Sequence, residues 1–131
     1  MKVRNFLIPF ALVSLSVLFT GCSTMADAKA GKGTGVTQTF AAKPERVWQV
    51  LPVAVKNAGL DYVAGSREEG YALAQRGISA FSYGENVAIF IEPALAESTK
   101  VEVVSKKAMA TNIFAPEWSK AIFEKITELL K

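Results

Sequence analysis

Between residues 36 and 131 the hydrophobic pattern of this chain changes period, and that change most limits what it can fold into. At 100° per residue, Val47, Trp48, Val50, Leu51, Ala54, Val55 and Ala58 fall within one arc of about 160°. Glu45, Arg46, Gln49, Lys56 and Asn57 fill the other side. Pro44 suits the first helical position, where a fixed φ and a missing N–H cost nothing. Gly59 suits a C-terminal cap. Pro52 interrupts the run on its polar side, so the helix is expected to kink over the surface it covers. A second helical stripe follows Pro116: Trp118, Ile122, Ile126 and Leu129, widened by Phe123 and Leu130. Its other face carries Glu117, Lys120, Glu124, Thr127 and Glu128.

Between the two helices the period falls to two. Leu60, Tyr62 and Ala64 alternate in residues 60–65, and Tyr71 and Leu73 mark residues 70–77. The "SREEG" that separates them reads as a hairpin turn. Residues 85–92, "ENVAIFIE", place Val87, Ile89 and Ile91 on one face. Residues 100–106 set Val101 and Val103 against Lys100, Glu102 and Val104, with "PALAEST" as the link. A short β-branched run, Val36 to Phe40, precedes the first helix. The order is β-α-β-β-β-β-α. The expected fold class is α+β: an antiparallel meander sheet packed against two amphipathic helices.

The N-terminus reads differently. Lys2 and Arg4 precede an uncharged apolar run from Phe6 to Phe19. At about 14 residues it is short of the ~20 that span a bilayer. A basic segment followed by an apolar one of this length is a secretory signal peptide. Two cleavage readings compete. Ala26-Asp27-Ala28 offers an A-x-A site that would cut before Lys29. Phe19-Thr20-Gly21-Cys22 resembles the lipobox of bacterial lipoproteins, with phenylalanine in place of the usual leucine. The second is preferred, because Cys22 directly follows the apolar run and is the only cysteine in the chain. An exported chain with one cysteine has no intramolecular disulfide partner for it.

The lipobox resemblance implies a thioether to diacylglycerol on Cys22, cleavage before it, and acylation, typically by palmitate, of the new amino group. One acyl chain anchors only marginally, whereas several anchor stably. Ser23, where an aspartate would imply retention at the inner membrane, implies the outer membrane of a Gram-negative envelope, facing the periplasm. The expected organisation is a signal peptide at 1–21, a lipidated cysteine and flexible linker at 22–35, and one α+β domain at 36–131. The glycine-rich linker has too little apolar surface to order itself. The stretches "FAAKPERVWQVLPVAVKNAGL" and "TKVEVVSKKA…WSKAIFEKI" resemble small bacterial lipoproteins without an assigned activity. Their layout is similar to helix-grip domains of outer-membrane assembly lipoproteins. Only Cys22 carries over from that resemblance as a functional position.

Composition narrows the chemistry. The net charge of +3 includes Lys2 and Arg4; without the signal peptide thirteen basic and twelve acidic residues leave +1. No nucleic-acid footprint survives that subtraction. The chain has no histidine, so the usual base near neutral pH and every Ser-His or Cys-His arrangement are missing. Zinc and most transition metals lack ligands. Glu68 and Glu69 lie on a turn, and Glu117, Glu124 and Glu128 share a helix face with Lys120 as surface pairs. "AGKGTG" lacks the GxxxxGK[ST] spacing of a phosphate loop. No catalytic residue, cofactor or metal is expected.

The aromatics remain. Trp48 and Trp118 on the two apolar stripes read as core, or as the lining of a cavity for an apolar ligand. Phe81 and Tyr83 in one loop, and Met109, Ile113 and Phe114 in another, form a candidate interaction patch if exposed. The expected function is a non-enzymatic, lipid-anchored envelope protein that binds another envelope protein. The alternative is a binding module for a small apolar or lipid ligand.

Overall fold

A computed structural model describes residues 24–77, 84–107 and 117–131 of the chain. Its elements are α1 (Met25–Ala30), β1 (Val36–Phe40), α2 (Pro44–Asn57), β2 (Asp61–Ser66), β3 (Tyr71–Arg76), β4 (Glu85–Pro93), β5 (Thr99–Lys107) and α3 (Trp118–Leu130). The five strands form one antiparallel sheet in the order β1-β5-β4-β3-β2. Strands β2 to β5 are a meander, and β1 joins outside β5. The fold is therefore α+β, with the expected strand and helix order. Because β1 and β2 form opposite edges of the sheet, α2 has to cross from one edge to the other.

The core lies between the sheet and the paired helices α2 and α3. Val47, Trp48, Val50, Leu51, Ala54 and Val55 of α2 are buried, as the helical period requires. Pro52 is exposed, and α2 continues through it from Pro44 to Asn57. Trp118, Ile122, Phe123 and Ile126 of α3 complete the helical layer. Opposite them stand Ala72 and Ala74 of β3, Val87, Ile89 and Ile91 of β4, and Val101 and Val103 of β5. The small alanines of β3 let the helices approach. Phe40 at the end of β1 packs on Phe123 with ring centroids 6.0 Å apart.

Two expectations need correction. First, β2 does not alternate. Leu60 is buried but precedes the strand, while Asp61 to Gly65 are all exposed. The register shifts between Tyr62 and Ala64, as at a bulge. An edge strand with a bulge is twisted out of line with its neighbour, so period two is lost.

Second, the chain before β1 is not a loose linker along its described length. Met25–Ala30 is a helix, and it lies on the sheet face opposite α2 and α3. Ala28 is fully buried there against Ala88, Phe90 and Val104, with Tyr71 and Leu73 packed around them. The large residues of β3 thus face α1, not the main core. The glycine-rich stretch orders because the sheet supplies the apolar surface that the segment itself lacks.

Candidate functional site

Two features of the described structure bear on function: the N-terminal segment folded across one sheet face, and the open edge at β1. Thr24 begins the first. Its hydroxyl accepts the Asp27 N–H at 3.3 Å, and the Asp27 carboxylate accepts the Thr24 N–H at 2.6 Å, a reciprocal capping box. The backbone N–H of Thr24, and then its hydroxyl, hold the Asp27 carboxyl below its ordinary value of 3.8.

Beyond the cap, side chains fasten the segment to the sheet. Lys29 reaches Glu69 at 3.1 Å and lies 3.9 Å from the centre of the Tyr71 ring. Hydrogen bonds to Glu69 and then Tyr71 raise the Lys29 pKa. Glu92 bridges Lys32 at 2.5 Å and Lys100 at 2.9 Å. Hydrogen bonds from Lys32 and then Lys100 hold the Glu92 carboxyl below its usual range, and Glu92 in turn raises Lys100. Their lysines are exposed and Glu92 is half-exposed, so water screens these pairs and they add little to the fastening.

Glu102 is different. It is 5% exposed, and one oxygen, Oε1, accepts the N–H groups of both Gly33 at 2.7 Å and Gly35 at 2.8 Å. Charge-assisted bonds to backbone donors, shielded from water, are the strong kind. Two glycines let the segment come this close. A Cβ on Gly31 would lie 2.7 Å from Val104 Cγ1, and one on Gly35 would run into the Val103 carbonyl. The segment 24–35 is therefore a strap pinned chiefly by Glu102 and Ala28.

The second feature is β1. It has β5 on one side and, among the described residues, no strand on the other. Four of its five residues are exposed, Val36 at 50%. Beside it α3 forms the other wall of a groove of about 510 Å³, lined by Val36, Gln38, Lys120, Phe123, Glu124 and Thr127 among others. An edge strand beside a groove can accept a further strand, with backbone bonds for affinity and the groove for alternate side chains.

Of the residues singled out from sequence, Cys22, Phe81, Tyr83, Met109, Ile113 and Phe114 lie outside the described residues. Trp48 and Trp118 are 8% and 4% exposed and belong to the main core cluster. Arg67 lies over the Trp48 ring at 5.9 Å and Arg76 over Trp118 at 5.5 Å, closing both from solvent. Glu69 serves the strap, Glu128 pairs with Lys125 at 2.9 Å, and Glu117 accepts the Ser119 hydroxyl at 2.7 Å.

The sequence reading missed Glu102 and the strap. Thr24-x-x-Asp27 was a legible capping signal, and Glu102 between two core valines was legible as an outward position. No local signal joins the two across more than sixty residues. The sequence matches no protein-family model, and no curated protein matches it.

Proposed function

We propose that this chain is a lipid-anchored envelope lipoprotein on the periplasmic side of the outer membrane, held through Cys22. It is non-enzymatic and works as a protein-interaction module, with the β1 edge and the α3 groove as its docking face. The observation that carries the docking role is the open edge: an uncharged strand, half-exposed at Val36, beside a groove of about 510 Å³. The anchor itself rests on the signal peptide and the lipobox resemblance. The strap supports a close attachment. Two residues of chain reach at most about 7 Å, so a lipid on Cys22 stays near Thr24, where the strap begins.

Two measurements test the reading. Cells fed an alkyne-tagged palmitate should label the wild-type chain in the membrane fraction and leave Cys22→Ala unlabelled. A photoreactive residue in place of Gln38 should crosslink to protein in intact cells, and one in place of Lys56, exposed on α2, should not. Equal labelling of the two chains sinks the anchor. Absence of any crosslink at position 38 sinks the docking face.

A further inference from the structure

We propose that the occupant of the β1 edge is the β1 edge of a second copy of this chain, so that two molecules share one continuous ten-stranded sheet. The inference rests on the reading of β1 and α3 as a docking face and names what fills it.

Strand β1 is the undefended edge. Its sequence, Val36-Thr37-Gln38-Thr39-Phe40, contains no charge, proline or glycine, the devices that usually discourage pairing. The opposite edge, β2, carries the bulge at Tyr62/Ala64 and a glycine at Gly65. Strand β1 is also suited to its own copy. Antiparallel pairing about Gln38 places Thr37 opposite Thr39 and Val36 opposite Phe40 of the copy. Thr–Thr and aliphatic–aromatic pairs are favourable, and no like charges meet within the strand.

Helix α3 agrees with that register. Val36 lies by Glu117 and Trp118, and Phe40 packs on Phe123, so α3 runs in the same direction as β1. A two-fold axis through Gln38 then sets α3 antiparallel to its copy. The Trp118–Phe123 stretch, level with Val36 to Phe40, then lies nearest the axis, and the second half of α3 runs away from it. The groove beside β1 becomes filled by the copy's strand and helix.

The strap supplies an independent constraint. The axis of such a pair is normal to the sheet, because the two β1 strands are antiparallel and coplanar. Both copies of α1 then lie on one face of the joint sheet, and α2 and α3 of both lie on the other. Two anchors preceding two straps can therefore enter one membrane. Confinement to that plane raises the effective concentration of one copy for the other without any new contact.

The test uses the full chain with its own signal peptide. Directly opposed residues of an antiparallel pair have Cα atoms about 4.5–5.5 Å apart, within the roughly 4.4–6.8 Å that a disulfide spans. Gln38→Cys in isolated membranes under mild oxidation should give a band at twice the chain mass that survives heating and is cleaved by thiol. Its yield should be at least tenfold that of Val63→Cys on the β2 edge. Native mass spectrometry of the unsubstituted, detergent-extracted chain should show the same dimer, which guards against a variant that misfolds. Equal yields at positions 38 and 63, or a monomer by mass, overturn the second copy. A link from position 38 to a different protein also overturns it but leaves the docking face standing. No link of any kind from a folded Gln38→Cys chain overturns both.

Discussion

Replacing Glu102 should release the strap and leave the sheet intact. The carboxylate accepts two backbone N–H groups, from Gly33 and Gly35, through one oxygen. A hydrogen bond to a charged group contributes about 1.5–3 kcal/mol. Water can reach the donors once the strap lifts, so the lower value applies to each, or about 3 kcal/mol for the pair in Glu102→Ala. Glu102→Gln keeps an oxygen in place and loses the charge, so about half of that is expected. The assay is amide exchange at Gly33 and Gly35, read beside urea unfolding followed by tryptophan fluorescence. Exchange at the two glycines should speed up by about two orders of magnitude in the alanine variant, since 1.4 kcal/mol is tenfold. Trp48 and Trp118 lie in the core on the other side of the sheet, so their unfolding midpoint should fall only by what the strap adds to the whole. Unchanged exchange in Glu102→Ala, or a glutamine variant as damaged as the alanine one, would refute this account of the pin.

Other expectations follow from the same geometry. Gly35→Ala should lower stability by about 1–3 kcal/mol in urea unfolding, because its new Cβ meets the Val103 carbonyl, which is backbone and cannot swing aside. Gly65→Ala clashes chiefly with the hydroxyl end of Tyr62, with Trp48 Cζ3 in ordinary contact at 3.5 Å; Tyr62 is 37% exposed and can swing aside, so its midpoint should move less, and equal losses at the two glycines would contradict the reasoning. Leu51, fully buried in α2, should cost about 2–5 kcal/mol on truncation to alanine, and a smaller shift in the urea midpoint would mean that the helical layer collapses into the gap. The strap should also respond to acid. Asp27 and Glu92 have folded values below their ordinary 3.8 and 4.5, so what they contribute is present above those values and is lost as pH falls through the lower folded ones. Lys29 and Lys100 are raised above 10.5, so their part is complete below that pH and is lost only as pH rises past the folded values. Strap amide protection should therefore hold from pH 6 to 9 and weaken below about pH 4; weakening between pH 5 and 7 would rule out these groups as its cause.

The parts of the fold that the sequence made legible are those whose residues answer to one neighbour at a time. Helices α2 and α3 each bury one stripe against one sheet, so Val47, Leu51, Ile122 and Ile126 fall where the 3.6 period places them. Strand β4 shows Val87, Ile89 and Ile91 on the core side for the same reason. Legibility failed where two layers share a strand. Ala88 and Phe90 alternate with those residues and are also buried, because α1 covers the second face. Read alone, "ENVAIFIE" reports one dry face strongly and hides the other. The groove beside β1 was illegible for a related reason: Gln38 and Lys120 are ordinary surface residues until the sheet order brings β1 beside α3.

The strap changes what an anchor on Cys22 could do. A flexible thirteen-residue leash has a root-mean-square span of about 20 Å and lets a domain turn any face to its surroundings. Here residues 24–35 lie along the sheet, fastened by Ala28 at one end and by Glu102 at the other. On the proposed attachment, the freedom left to the domain is what the one or two residues before Thr24 allow. The α1 face is then turned toward the membrane and the α2–α3 face away from it. The β1 edge runs between the two faces, so a strand that meets it has to lie level with the domain, beside it in the plane of the membrane. A neighbour anchored in the same way satisfies that geometry without reorienting, whereas a soluble partner approaching from the far side reaches α2 and α3 first. Releasing the strap with Glu102→Ala should therefore reduce pairing at position 38 in membranes while leaving the β1 sequence untouched. Undiminished disulfide yield from Gln38→Cys in that background would show that the orientation set by the strap plays no part in the pairing.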